Sequence, residues 1–253
     1  MTDLWSTCAP DLPVEPLAGE LLRIVESQQQ VATLSLVDDL AEQALLEDLL
    51  EQAKPPLAPG SEGLHYLLAT PFRYPPLRHG SRFGRPFEPG IFYGARRLRT
   101  LLAEAAYYRF VFWTGMAKPP PSGRLRTQHN VFRARFRGER GVRLQQPPCA
   151  AHEAILRDPV DYRPTQRLGS ALRSARVDVF EFVSARDSER GLNVALFRPD
   201  ALVSRKPLGL SRWLCETTRG QVTFAPEATL DLYHFPLSAF LVGGELPVPA
   251  DPS

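Results

Sequence analysis

Cysteine is scarce in this chain of 253 residues, where Cys8, Cys149 and Cys215 form an odd and scattered set. Such a set does not make a disulfide framework and fits a reduced, cytoplasmic protein. The five histidines include no pair at helical i,i+4 spacing and no pair beside cysteines, so no metal site is expected. Long apolar runs are missing too. The stretch from Phe235 to Val242 is broken by Pro236 and is too short to span a bilayer. Met1-Thr-Asp-Leu-Trp has neither the basic start nor the apolar run of a secretory leader. There is no Gly-rich loop ending in Lys-Ser or Lys-Thr, no G-x-G-x-x-G and no G-x-S-x-G elbow. These gaps argue against the common nucleotide-binding loops and against a serine hydrolase.

Apolar residues make up 43% of the chain, enough for a sizeable core. The net charge of +2 conceals a split. Residues 1–60 hold eleven acidic side chains against Arg23 and Lys54. Residues 73–143 hold fifteen arginines and Lys118 against Glu88, Glu104 and Glu139. A GC-rich coding bias is one explanation of arginine over lysine, but it does not explain the missing acid. A basic middle calls for an anionic ligand or an acidic partner.

Residues 18–53 read as helical, with Leu21, Leu22 and Val25, then Leu36, Leu40, Leu46 and Leu50, at helical spacing. Ser35 followed by Asp38 resembles a helix start. The opposite face carries Asp39, Glu42, Glu47 and Glu51, so residues 1–60 are expected to form an acidic helical extension. Pro55, Pro56, Pro59 and Gly60 make a linker, and residues 61–253 form the main domain. Strands are expected at 64–68, 90–94, 131–137, 179–183, 192–197, 221–224 and 229–234. Helices are expected at 97–114 and 164–176. The regular βαβ rhythm is missing, so the fold class is α+β.

The segment from Arg73 to Tyr108 carries the densest chemistry. Arg73 and Arg82 offer planar forks that suit phosphate or ribose oxygens. Tyr93 ends an apolar strand with a ring able to pack on a flat heterocycle, or simply to join the core. Glu104 is an isolated carboxylate in an apolar, arginine-rich setting; it is either used in chemistry or paired with Arg73, Arg82 or Arg109. Ser184 ends the run Phe182-Val-Ser and has no neighbouring base to activate it, so it caps a strand or binds a ligand rather than attacking. Arg186 either touches a phosphate or pairs with Asp187.

Phe72-Arg73, Gly80-Ser-Arg82-Phe, Gly90-Ile-Phe-Tyr93, Ala103-Glu104 and Val183-Ser184-Ala-Arg186, in this order, resemble the RES domain family over roughly residues 65–200. The resemblance implies an ADP-ribosyltransferase-like fold: mixed sheets with flanking helices, here with an N-terminal helical extension. It implies a toxin of a type II toxin–antitoxin system whose substrate is NAD. It places Arg73, Glu104 and Ser184 as catalytic residues, and Arg73, Arg82, Tyr93 and Ser184 against the NAD. A cognate antitoxin of the Xre/ParS-like kind would block the cleft. Many members carry a Gly-Gly-Arg-Trp-Asn type segment where this chain has Arg82-Phe-Gly-Arg-Pro. That departure and the acidic arm look like the subgroup that transfers ADP-ribose to a protein, with phosphoribosyl pyrophosphate synthetase as target. Water or phosphate are the alternative acceptors, giving an NAD glycohydrolase or phosphorylase. The acidic arm could serve a homodimer.

A reading of another class is a non-catalytic module whose basic strand Val131-Phe-Arg-Ala-Arg-Phe-Arg137 holds an acidic partner or nucleic acid. No helix-turn-helix or aromatic platform accompanies that strand, and a solvated sheet face explains it as well.

Overall fold

Alternating and helical apolar spacings resolve into eight strands and six α-helices in the computed structural model, which describes residues 4–27, 39–76 and 79–248. In chain order these are α1 (Leu4–Cys8), β1 (Glu15–Glu26), α2 (Leu40–Ala53), α3 (Tyr66–Arg73), β2 (Phe92–Ala95), α4 (Leu98–Thr114) and β3 (Leu125–Arg143). Then follow α5 (Glu153–Leu156), α6 (Arg163–Ser174), β4 (Val179–Val183), β5 (Leu192–Leu196), β6 (Leu208–Thr217), β7 (Gln221–Pro226) and β8 (Tyr233–Pro236). The class is α+β, with one mixed sheet and helices on its flanks.

The long strand β3 organises the sheet. One edge pairs with β1 from Glu15↔Gly141 to Glu26↔His129. The other edge pairs with β6 through its first half and, in parallel, with β4 at its end. Because β4 joins β5, β5 joins β2 and β2 meets β1, the pairings close into a five-stranded ring. β6, β7 and β8 continue outward from the first half of β3 as a separate wing. The contact that closes the ring is slight: β1 and β2 share only Leu22↔Ala95. Beyond that pair they splay apart.

Three apolar clusters follow from strand alternation. Leu17, Leu21, Phe92, Phe132, Phe136, Val194 and Leu196 form one face of the ring strands, joined by Leu68 and Phe72 of α3. Phe180, Phe182 and Ala195 face the other way, under Leu168 and Leu172 of α6. Leu101, Leu102, Ala106 and Phe110 of α4 pack on Trp213, Val222 and Phe224 of the wing.

Three expectations need correction. Residues 18–26, expected to start a helix, instead belong to β1 (Glu15–Glu26), so that part of the acidic arm is built into the sheet. The spacing misleads because residues four apart share a face in a helix and in a strand alike. Leu17 and Leu21 lie in one cluster, while Leu22 and Ile24 pack with α4 on the opposite side. Only a strand buried on both faces meets both needs. The helical part survives as α2, capped by Asp39, whose carboxylate accepts from the N–H groups of Ala41 and Glu42. Ser35, Leu36, Asp38 and Arg78 lie outside the described residues. The strand expected at 64–68 is instead the start of α3, whose His65 ring accepts from Leu67 N–H. There Leu68 and Phe72 are buried four residues apart, as on one helical face. The strand β6 was not foreseen at all: it runs Leu208–Thr217 with exposed Leu210 and Leu214, which blur its alternation. The strand expected at 229–234 falls later, at Tyr233–Pro236.

Candidate active site

Where β1 and β2 splay, a cleft of about 670 Å³ opens beneath α4. β1 contributes residues Arg23 to Glu26, β2 contributes Tyr93 and Gly94, and α4 contributes a stripe that includes Glu104, Tyr108 and Phe112. Ser81 and Arg82 close one end, with Tyr162 and Asn193.

Glu104 sits half-buried on α4, and one of its oxygens is held by two donors. Ser184 Oγ donates to Oε1 at 2.5 Å, and Asn193 Nδ2 donates to the same atom at 2.7 Å. Oε2 has no hydrogen bond among the described residues. The salt bridge that the sequence left open as an alternative does not form. Arg73 pairs with Glu51, Arg109 with Glu26, and Arg82 donates to the carbonyl oxygens of Leu156 and Asp158. The result is a carboxylate in an arginine-lined cleft, oriented by neutral donors and unpaired with any described cation.

Ser184 is fully buried at the end of β4. Its Oγ accepts from the N–H groups of Arg186 and Asp187, at 3.1 and 3.0 Å, while its own proton goes to Glu104. It does not line the cleft. Its place is behind the carboxylate, where it sets the direction of Glu104. Arg186 spans Pro159 O and the Tyr162 hydroxyl, with its guanidinium 3.5 Å from the centre of the Tyr107 ring. Asp187 is not its partner; that carboxylate accepts from Thr100 Oγ1 and from the N–H groups of Glu189 and Gly191.

Tyr93 and Arg82 do line the cleft. The Tyr93 hydroxyl accepts from Phe83 N–H at 3.2 Å and shares a hydrogen bond with Ser81 Oγ at 2.9 Å. Burial pushes this phenol up to about 12, so it stays neutral. It therefore ties the 81–83 turn to β2. The turn is held from below by Phe83, which is fully buried edge-on against Phe180 and Phe182. Burying such a ring is worth about 1.5–3 kcal/mol. The Arg82 guanidinium carbon lies 4.4 Å from the centre of the Tyr162 ring, a cation–π contact that helps hold the side chain in place.

Arg73 is the exception. It ends α3 and donates Nη1 to Glu51 Oε1 at 2.6 Å and Nε to Pro55 O. It does not line the cleft, and the structure does not bring it to Glu104. The expected grouping of Arg73, Glu104 and Ser184 is thus met for two of the three. The basic strand 131–137 is answered as well. Glu20 of β1 pairs with Arg133 and Arg135, and Glu139 pairs with Arg137, so those arginines are matched across and along the sheet.

Two participants escaped the sequence reading. Asn193 is the one polar residue in the apolar run Leu-Asn-Val-Ala-Leu of β5, a signal that was available. Arg23, expected on a helix, faces the splay and donates Nη1 to Tyr93 O at 2.6 Å.

The sequence matches the RES domain over residues 57–218. The chain belongs to the RES domain family. That match contains α3 to β6, and with them Arg82, Tyr93, Glu104, Ser184 and Asn193. β1, which lines the open side of the cleft, precedes it. The RES domain family is associated with NAD-utilising enzymatic activity. A comparison with curated proteins finds no match. Among the described residues no helix is long and apolar enough to cross a membrane.

Proposed function

We propose that this RES domain protein consumes NAD, breaking the bond between nicotinamide and ribose and passing ADP-ribose to a protein. The observation that carries this is Glu104. Its Oε1 is fixed by Ser184 and Asn193 while Oε2 remains for a ligand in the cleft. As the glycosidic C–N bond breaks, its electron pair leaves with nicotinamide and positive charge develops on the ribose. A preoriented carboxylate beside the ribose stabilises that charge or accepts a ribose hydroxyl proton in a hydrogen bond. The incoming nucleophile then bonds to the anomeric carbon and gives up its proton.

Arg82 and Tyr93 shape the end of the cleft nearest Glu104, with Tyr162 supporting Arg82. Ser184 acts through Glu104 as a positioning residue. Phosphoribosyl pyrophosphate synthetase is the acceptor to be tried first, and the protein would act as a toxin held in check by an antitoxin covering the cleft. An acidic blocker suits the arginine lining.

Purified protein incubated with NAD, with and without cell lysate, should release nicotinamide, and Glu104→Gln should abolish release while leaving the fold intact. Mass analysis of the products separates the acceptors: free ADP-ribose for water, its phosphate ester for phosphate, a labelled polypeptide for protein. If the wild type neither releases nicotinamide nor labels any protein, the proposal fails.

A further inference from the structure

The helix α2 stands apart from the cleft and from the core. It precedes residues 57–218, so the family match does not cover it. One side of it is tied down: Glu51 accepts from Arg73, at the end of α3, and from Lys54. At 3.6 residues per turn, Leu45 and Leu49 point about 120° and 160° away from Glu51. They are 60% and 53% exposed, as that direction requires. Leu45, Leu46, Leu49 and Leu50 join none of the three apolar clusters. A helix of 14 residues is marginal on its own in water, so one whose leucines miss the core needs another surface to pack on. Ala41 and Glu42 lie on the same outward face one turn before Leu45, and Gln52 and Ala53 one turn after Leu49, all of them exposed. The outward stripe is therefore Ala-Glu, Leu, Leu, Gln-Ala. Read from either end it is the same, with Glu exchanged for Gln.

We propose that this face docks a second copy of the chain, the two α2 helices packing antiparallel across a two-fold axis that passes midway between Leu45 and Leu49. About that axis Leu45 of one copy meets Leu49 of the other, Ala41 meets Ala53, and Glu42 meets Gln52. Such a self-complementary patch is what a two-fold interface requires. The Gln52 amide donates one proton to Asp48 at 2.7 Å and carries a second for a carboxylate. A parallel pairing would set Glu42 against Glu42 instead. The stripe carries one charge, so it does not call for a basic partner. Its flanks carry Asp39, Asp48 and Glu51, which repel between copies, and salt screens that repulsion. A strip about 21 Å long and about 10 Å wide is small beside the roughly 800 Å² that each partner gives a standard interface. The dimer is therefore reversible and depends on concentration. It does not depend on NAD being the substrate.

Analytical sedimentation of the full chain over a range of concentrations is the test. The wild type should pass from the mass of one chain, 28.3 kDa, to twice that mass as concentration rises. Added salt should move the midpoint to lower concentration. Leu45→Lys combined with Leu49→Lys exchanges two exposed side chains for another good helix former, so the melting temperature is kept while the dimer is lost. A mixture of Leu45→Cys chains and Leu49→Cys chains under oxidised glutathione should crosslink more than either variant alone, because the antiparallel register sets position 45 against position 49. A wild type that stays at the mass of one chain throughout overturns the proposal. If such a monomer binds a synthetic helical peptide of leucine and lysine, and loses it in the double lysine variant, the face belongs to a basic partner instead. A dimer that survives both lysines, or one that weakens as salt is added, also overturns it. Crosslinking no greater in the mixture than in the separate variants overturns the antiparallel pairing.

Discussion

Removing one hydroxyl, Ser184→Ala, tests how the carboxylate is held. The wild-type Oγ makes three hydrogen bonds in a site closed to water: it accepts from Arg186 N–H and Asp187 N–H and donates to Glu104. Alanine fits the space but leaves two buried N–H groups unpaired, each costing about 1–3 kcal/mol. A net destabilisation of about 3 kcal/mol is therefore expected, or ~6–12 °C in Tm for a chain of this size. Glu104 loses one of its two donors yet keeps Asn193, so kcat for NAD should fall about 10- to 100-fold, which is ~1.4–2.7 kcal/mol of transition-state stabilisation. KM should move little, because Ser184 does not line the cleft. Thermal melting and nicotinamide release measured on the same preparation give both numbers. Complete loss of turnover in a variant that melts with the wild type would refute the argument, since it would make Ser184 a reacting group rather than a support. An unchanged Tm together with unchanged kcat would refute it from the other side.

Asn193→Leu should lower kcat about tenfold with KM preserved, because a shape-matched apolar side chain still packs in β5 but no longer donates to Oε1; NAD kinetics check it. Gly169→Ala should destabilise the fold by about 1–3 kcal/mol and raise KM for NAD. The added methyl would meet Phe83 O at 1.8 Å and displace the turn bearing Arg82, which urea unfolding and kinetics would register. The stability of the protein should fall on mild acidification through His129. Burial, reinforced by Arg109 and opposed by a hydrogen bond with the Val25 backbone, lowers its pKa from 6.5 to about 4. The unfolded chain takes up the proton first, so this stability is complete above pH 6.5 and is lost towards pH 4, by roughly 3 kcal/mol. His129→Gln should flatten that part of the profile when urea midpoints are compared at pH 7 and pH 4.5.

The residues near the chemistry were legible in the sequence where local rules govern them. The apolar stripe of α4 announced a helix and placed Glu104 on it, and the alternation in 131–137 announced part of β3. The short run 179–183 was read within its true bounds, and Ser184 at its end donates to Glu104. What stayed hidden depends on long-range pairing. β1 is a strand because β3 lies beside it over a dozen residues, and no spacing within 15–26 separates that outcome from a helix. The position of Arg73 was hidden for a similar reason. Its motif pointed to the ligand, yet the guanidinium is claimed by Glu51, a residue of α2 that sequence proximity does not bring to it. Asn193 was readable in principle as a lone amide in an apolar strand, but only the register of β5 against β4 turns it towards Glu104.

The strand that begins the sheet lies outside the segment by which the family is recognised. A fragment trimmed to start at residue 57 would strip the covering from one whole edge of β3, from Gly141 back to His129, and break the closed ring. Such a bare, lengthy edge is a template for pairing with another molecule. Trimming there would yield insoluble material with no ligand groove, and its failure to act on NAD would say nothing about Glu104.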